Sequence, residues 1–320
     1  MSSWESAEAE QRLSRDRAVP LHVWSNAKYS FPLPDGHRFP IAKYAMLRER
    51  VVADGIVPAD CVHDPGRVSL DDLLLVHTRD YIQRFTRGAL TSHEERRLGF
   101  PWSEALVERS YRSAGGTCEA ARAALDQGIT MNLAGGTHHA FPSHGEGFCV
   151  FNDVAIAIRA LQRDGLIDRA AVIDLDVHQG NGTHAVFAGD DRVFTFSMHG
   201  GRNYPFRKIA GSLDIELADR TGDDDYLTLL SEALPRVIES ARPDLVIYLA
   251  GADSHEHDRL GRLSLTFDGL ARRDSIVLEQ CREVGIPVAI TMAGGYGNPI
   301  SDTVQVHVTT VSIAARYSHS

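Results

Sequence analysis

AAVIDLDVHQGNGT, residues 170–183, is an apolar run that turns ionisable at its end. Ala170–Val177 has the uninterrupted apolar character of a strand buried on both faces, the pattern of a parallel sheet covered by helices on either side. Strand side chains alternate, so Asp174, Asp176 and His178 are expected to point the same way. Three ionisable groups on one face of an apolar strand are costly unless something compensates them. A divalent ion would do so, because carboxylate oxygen and imidazole nitrogen are both zinc donors. A cluster of ion pairs with arginines from elsewhere is the plainer alternative. A zinc centre needs a third protein ligand and an open position. Asp253, following the apolar run Leu245–Ala250, is the natural donor, although alone it would read as a cap or turn residue.

Working outward, further candidate strands are Val19–Trp24, Ile129–Leu133, Arg192–Met198, Leu245–Ala250 and Pro287–Met292. Helix-period segments separate them. One follows Asn152, a plausible N-cap, with Val154, Ile158 and Leu161 on one face and Gly165 as a stop. Asp223–Ser240, with a possible kink at Pro235, and Phe267–Val284 look similar. We find no internal repeat, low-complexity tract or dividing linker. The expectation is an α/β protein: a single-domain, three-layer α/β/α fold with a central, mostly parallel sheet. Residues 1–17 read as a polar leader and 18–320 as one catalytic domain. The polar oddities all fall at predicted strand ends: Gly135-Gly136-Thr137-His138-His139, Asp174 to His178, Ser197 to His199, Gly251 to Asp253, and Gly294-Gly295-Tyr296. Ligands of open α/β sheets bind there, outside the carboxyl ends of the strands.

Composition narrows the partners. Thirty-three basic against 43 acidic residues give a formal net charge of −10. That argues against bulk attraction to nucleic acid or anionic membrane, leaving room for a local basic patch. Cys61, Cys118, Cys149 and Cys281 form no CxxC pair and suit a reducing compartment. The leader lacks an apolar core, and the apolar runs are too short to span a bilayer. A soluble cytoplasmic protein without a membrane span is expected.

His138-His139 would, in isolation, be surface decoration. At a strand end beside a suspected metal, a histidine is the usual general base near neutral pH, provided an acceptor orients its other nitrogen. Gly294-Gly295-Tyr296-Gly297 reads equally as a flexible turn beside a core aromatic or as a tyrosine projected over the metal to polarise a carbonyl.

GGTHHA (135–140), GEGFCVFND (145–153), IDLDVHQGNGT (173–183), FTFSMHG (194–200), GADSHEHDRLGRLSLT (251–266) and AGGYG (293–297) occur in the order in which the histone deacetylase family carries them. The chain resembles that family, within the arginase/deacetylase superfamily, roughly from Leu21 to Ala314. HQGNG, DRLGRLS and DGHRFP (35–40) look most like the class IV branch and its bacterial relatives. The resemblance implies one zinc on Asp176, His178 and Asp253, with His139 as base and later acid and His138 as an electrostatic partner. It makes Tyr296 the oxyanion donor, Asp174 the acceptor for His138 and Asn181 the acceptor for His139. Gly147, Phe148 and Tyr204 match the lining of an acyl-lysine tunnel. A structural potassium ion is implied at Asp174, Asp176, His178, Ser197 and Met198. Asn181 replaces a class I aspartate, a change shared by classes II and IV that makes His139 easier to keep unprotonated. The class I loop aspartate that grips the substrate backbone has no clear counterpart; Glu94 and Glu95 are the acids in that region.

The expected activity is therefore zinc-dependent hydrolysis of acyl-lysine in a protein or peptide. An acylated polyamine is the alternative substrate. Relatives selective for polyamines can carry a glutamate at the position of Leu260, which is apolar here. A two-metal ureohydrolase would require more aspartates, and Asn181 stands against it. A non-catalytic scaffold would be expected to have lost a ligand or the tyrosine. The class IV likeness adds an expectation of acyl chains longer than acetyl, with Tyr29, Phe31 and Phe39 as candidates for the pocket floor.

Overall fold

The apolar runs pair as their two-faced burial requires. The computed structural model describes residues 20–318, so the 1–17 leader and Val19 lie outside the described residues. Eight strands are β1 (His22–Trp24), β2 (Val62–His63), β3 (Ile129–Asn132), β4 (Ala170–Asp174), β5 (Val193–Gly200), β6 (Leu213–Leu217), β7 (Leu245–Leu249) and β8 (Val288–Thr291). They form one sheet in the order β2-β1-β3-β8-β7-β4-β5-β6, every pairing parallel. The helices are α1 (Lys43–Ala53), α2 (Leu70–Leu73), α3 (Arg79–Thr86), α4 (Ser92–Leu98), α5 (Glu104–Gln127), α6 (Asp153–Arg163), α7 (Asn181–Phe187), α8 (Asp223–Ala241), α9 (Phe267–Glu283) and α10 (Ile300–Ser318). None is long and apolar enough to cross a membrane.

Strand alternation divides the core into two halves. Ala171 and Ile173 of β4 and Val246 and Tyr248 of β7 pack with α1, α8, α9 and α10. Ala170 and Val172, with Leu245, Ile247 and Leu249, pack with α3, α5 and α6 on the opposite face. This is the three-layer α/β/α arrangement, with β4 and β7 at its centre.

Two expectations need correction. The short edge strands β2 and β6 are not legible as apolar runs; β6 reads LDIEL and is largely half-exposed. Strand β4 ends at Asp174, not Val177, so alternation along a strand is not what orients Asp176 and His178. Leu175 N–H still bonds Leu249 O at 3.1 Å. Beyond it the backbone donors go to carboxylates: Asp176 N–H to Asp174 at 3.2 Å, Val177 N–H to Asp253 at 2.9 Å and His178 N–H to Asp176 at 2.9 Å. Side chains replace the ladder, so the chain leaves the sheet where the ionisable residues begin.

Local signals hold elsewhere. Asn152 caps α6 through Ala155 N–H at 3.0 Å, and its amide group also donates to Ala140 O and Thr183 Oγ1. Asp153 accepts from Gly136 N–H at 2.9 Å and Thr137 N–H at 2.7 Å, anchoring the loop that carries the histidine pair. Helix α8 continues through Pro235. Arg273, fully buried on α9, donates to Gly251 O at 2.6 Å and to Leu175 O at 3.4 Å, joining the ends of β7 and β4. Its guanidinium is paired with Asp274, which also accepts from Tyr248 and Thr310.

Breaking a buried, hydrogen-bonded pair typically costs about 3–5 kcal/mol. Arg273→Met should therefore lower unfolding free energy in urea by about that amount, and a loss under about 1 kcal/mol would contradict this account.

Candidate active site

Asp176 and His178 follow β4 and Asp253 follows β7; all three are buried. His178 Nδ1 lies 2.9 Å from Asp176 Oδ1 and 3.2 Å from Asp253 Oδ2, and the ligand atoms of the trio lie within 4.8 Å of one another. Among the described residues, their hydrogen bonds run to one another and to backbone N–H groups, with no arginine or lysine side chain to compensate them. Gly294 N–H donates to Asp176 Oδ2 at 2.6 Å, and a Cβ at Gly294 would fall 1.8 Å from Asp253 Oδ2. Only glycine leaves room there for both carboxylates. Burial and the neighbouring Asp176 push the Asp253 carboxyl up to about 7. Burial opposes charge on His178, but its bonds to Asp176 and Asp253 outweigh it and hold the ring at about 10. One buried cation between two carboxylates is thus the compensation the site demands. A divalent ion would meet that demand, with one imidazole nitrogen and two carboxylate oxygens as donors. A second group, His255, His257 and Asp302, also converges, but His257 is exposed and already paired with Asp302 at 3.0 Å.

The two histidines of the pair have different acceptors. His138 Nδ1 lies 2.6 Å from Asp174 Oδ2, and His139 Nδ1 lies 2.7 Å from Asn181 Oδ1. Burial pulls His138 down, yet Asp174 and Asp176 outweigh it and hold the ring at about 9. Burial, followed by the nearby His138 and His178, drives His139 well below its ordinary value, so that ring is neutral near pH 7. Its tautomer follows from a residue the sequence reading passed over. Glu146 Oε1 accepts from Asn181 Nδ2 at 2.8 Å. Burial opposes the charge of Glu146, but bonds from His144, Asn181 and Tyr204 outweigh burial and keep it ionised. A carboxylate only accepts, so it turns the Asn181 NH₂ toward itself and the amide oxygen toward His139. His139 must then carry its proton on Nδ1, which leaves the Nε2 lone pair free.

Tyr296 is buried, and burial together with the Asp176 and Asp253 carboxylates keeps its phenol protonated. Its loop is held from below by Lys43, a fully buried cation that donates to Gly295 O at 3.2 Å and lies 5.5 Å from the Tyr296 ring centroid. Heading a helix, Lys43 gives no sequence signal that separates it from a surface charge.

Two cavities meet here, sharing His139, Gly147, Phe148, His178 and Tyr296. The inner one, about 80 Å³, reaches Phe31, Phe39, Phe100 and Arg109. Tyr29 is not part of it; its carbonyl accepts from Arg109 at 3.1 Å. The outer one, about 580 Å³, is lined by Tyr204, Leu260 and five arginines. Gly147 has φ +56, and a Cβ there would fall 2.7 Å from the His139 ring. Phe148 adopts φ 66, an uncommon conformation for a residue with a side chain, and is held by Leu98 O at 2.8 Å. Glu94 instead forms the capping box of α4 and pairs with Arg84; from that segment it is Arg97 that reaches the mouth. Register sets Asp174 beside Ser197, with Met198 next and buried, and the Ser197 hydroxyl lies 3.0 Å from His199 Nδ1.

The histone deacetylase domain model matches residues 37–311. An uncharacterised protein of Picosynechococcus sp. is 44% identical over 87% of this chain and 93% of its own length. Histone deacetylase 2 of Arabidopsis thaliana is 33% identical over 81% of this chain and 70% of its own. A crystal structure of an HDAC homolog from Aquifex aeolicus superposes with a TM-score of 0.81 at 24% identity, covering 94% of this chain and 84% of that one, a likeness of fold.

If Glu146 fixes the Asn181 amide, Glu146→Ala should leave that amide free to turn. Nitrogen-15 imidazole spectra should then change His139 from the Nδ1–H form to a mixture of tautomers. An unchanged Nδ1–H signal would place the constraint elsewhere.

Proposed function

The chain belongs to the histone deacetylase family, and on that premise we propose that it is a zinc-dependent amidohydrolase removing acyl groups from lysine side chains of proteins or peptides. The observation that carries this reading is the junction of the two cavities, where His178, an unprotonated His139 and a protonated Tyr296 meet, with Asp176 and Asp253 clustered behind His178. Asp176, His178 and Asp253 would hold one zinc per chain. Bound there, the ion supplies Lewis-acid polarisation of the acyl carbonyl and acidifies a water.

The chain's own groups do the rest. His139 Nε2 takes a proton from the attacking water as the new C–O bond forms. Tyr296 donates to the carbonyl oxygen as it gains charge. The C–N bond then breaks, and the protonated His139 gives its proton to the leaving amine. His138, charged and held by Asp174, stabilises the negative centre beside it. Gly147, Phe148 and Tyr204 confine the lysine stem, and Leu260 borders the mouth. A structural potassium ion at Asp174, Asp176, His178, Ser197 and Met198 belongs to the same proposal. So do a single catalytic domain over residues 18–320, a cytoplasmic setting, and a place beside the class IV branch supported by HQGNG, DRLGRLS and DGHRFP.

An acylated polyamine is the weaker substrate reading. Leu260 offers no charge to a distant ammonium, and the arginines at the mouth repel one. A panel crossing acyl-lysine peptides with acylated polyamines tests this. Turnover of polyamines alone would overturn the lysine assignment.

Asp253→Ala should lose both turnover and zinc while remaining folded; near-stoichiometric zinc by elemental analysis with normal turnover would remove Asp253 from the ligand set. Tyr296→Phe should keep its metal and lose about 10²–10³-fold in kcat, the usual cost of one oxyanion donor.

The inner cavity supports acyl chains longer than acetyl. On one peptide, kcat/KM should rise from acetyl to octanoyl, each buried methylene adding up to about 0.8 kcal/mol. Phe31→Ala and Phe39→Ala should shift that preference and leave metal content alone. A steady fall with chain length would mean that the aromatics close the pocket.

A further inference from the structure

We infer that the mouth of this site recognises acyl-lysines carried on acidic segments of protein, and disfavours those on basic tails. The inference rests on the deacylase reading above and extends it to the residues around the acylated lysine. Arg38, Arg97, Arg202, Arg259 and Arg262 line the outer cavity, and among the described residues no aspartate or glutamate does. They come from separate parts of the chain: the segment before α1, helix α4, the turn after β5 and the loop after β7. In a protein of net charge −10, this concentration of positive charge at one opening runs against the background.

The collar is only partly neutralised from within. Asp219 is shared between Arg262 at 3.3 Å and Arg202 at 3.8 Å, and the Arg202 side chain is 82% exposed. Arg259 spends its Nε on Tyr296 O at 2.9 Å. Among the described residues, the buried Arg97 Nε has no hydrogen-bond partner. Arg38 is exposed and lends only its backbone carbonyl to Arg259.

Acylation removes the charge of the lysine, so the flanking residues set the charge that the mouth meets. Guanidinium groups match carboxylates in fork geometry, and the same groups repel lysine and arginine. After hydrolysis the amine gains a proton, and the collar then repels the product's own lysine.

Holoenzyme and three acetyl-lysine peptides test this. The peptides are identical except for the two residues on each side, which are acidic, neutral or basic. Exposed pairs contribute about two- to fivefold each, so at about 0.05 M salt kcat/KM should be about tenfold higher for the acidic than for the neutral peptide, and lowest for the basic one. The spread should shrink toward twofold at about 0.5 M salt. The same peptides with a ketone in place of the amide, followed by fluorescence anisotropy, should bind in the same order. That binding order decides the collar even if no amide is cleaved, and lack of cleavage would count against the deacylase reading alone. The double variant R38Q/R202Q should at least halve the acidic-to-basic ratio, and Arg202→Glu should lower it further. Peptides that bind within twofold of one another at low salt, or a basic peptide that binds tightest, would overturn the proposal. So would a single-stranded oligonucleotide that displaces the acidic peptide at a lower concentration than the peptide itself requires, since the collar would then be a general polyanion surface.

Discussion

Asp176 and Asp253 lie side by side, almost wholly removed from water, at the ends of adjacent central strands. Bringing two carboxylates together in such a place is among the most unfavourable arrangements a chain can make. Much of the surrounding structure responds to it. The backbone leaves the β4 ladder so that its N–H groups can face those oxygens. Gly294 supplies another N–H and, lacking a side chain, leaves them space. Arg273 draws the carbonyls of Leu175 and Gly251 together from behind, away from the oxygens. The charge that remains is what His178 answers, and what makes the trio a candidate cation site.

The same economy separates the paired histidines. Their rings are 4.1 Å apart between centroids and both are buried, so burial cannot distinguish them. Their acceptors do. A charged acceptor, Asp174, favours the imidazolium of His138, whereas a neutral amide leaves His139 without that support. Glu146 stands one bond further away, where it orients His139 through Asn181 without contributing a direct ion pair.

Much of this was legible in the chain itself. Strand ends with out-of-place polar residues marked the candidate site, and AAVIDLDVH marked both the central strand and two members of the candidate metal cluster. The resemblance supplied the pairing of each histidine with its acceptor. What escaped did so for physical reasons. Strands β2 and β6 lie at the sheet's edges, where half-exposure erases the apolar signature. The end of β4 was misplaced because side-chain acceptors for backbone donors leave no periodic trace. Glu146 and Lys43 act across long separations in sequence, and a charge destined for burial looks like one destined for water. The arginine collar gathers residues from several segments, so only the assembled fold reveals it.

The Phe148 wall is held by the main chain of α4: Leu98 O accepts from Phe148 N–H, and Arg97 O accepts from Gly147 N–H. Neither bond depends on which side chain stands at position 97 or 98. The tunnel's shape and the mouth's charge are therefore inherited separately. Substitution at Arg97 would change the charge at the opening while the Gly147–Phe148 backbone keeps its place, but an inserted residue would displace both together.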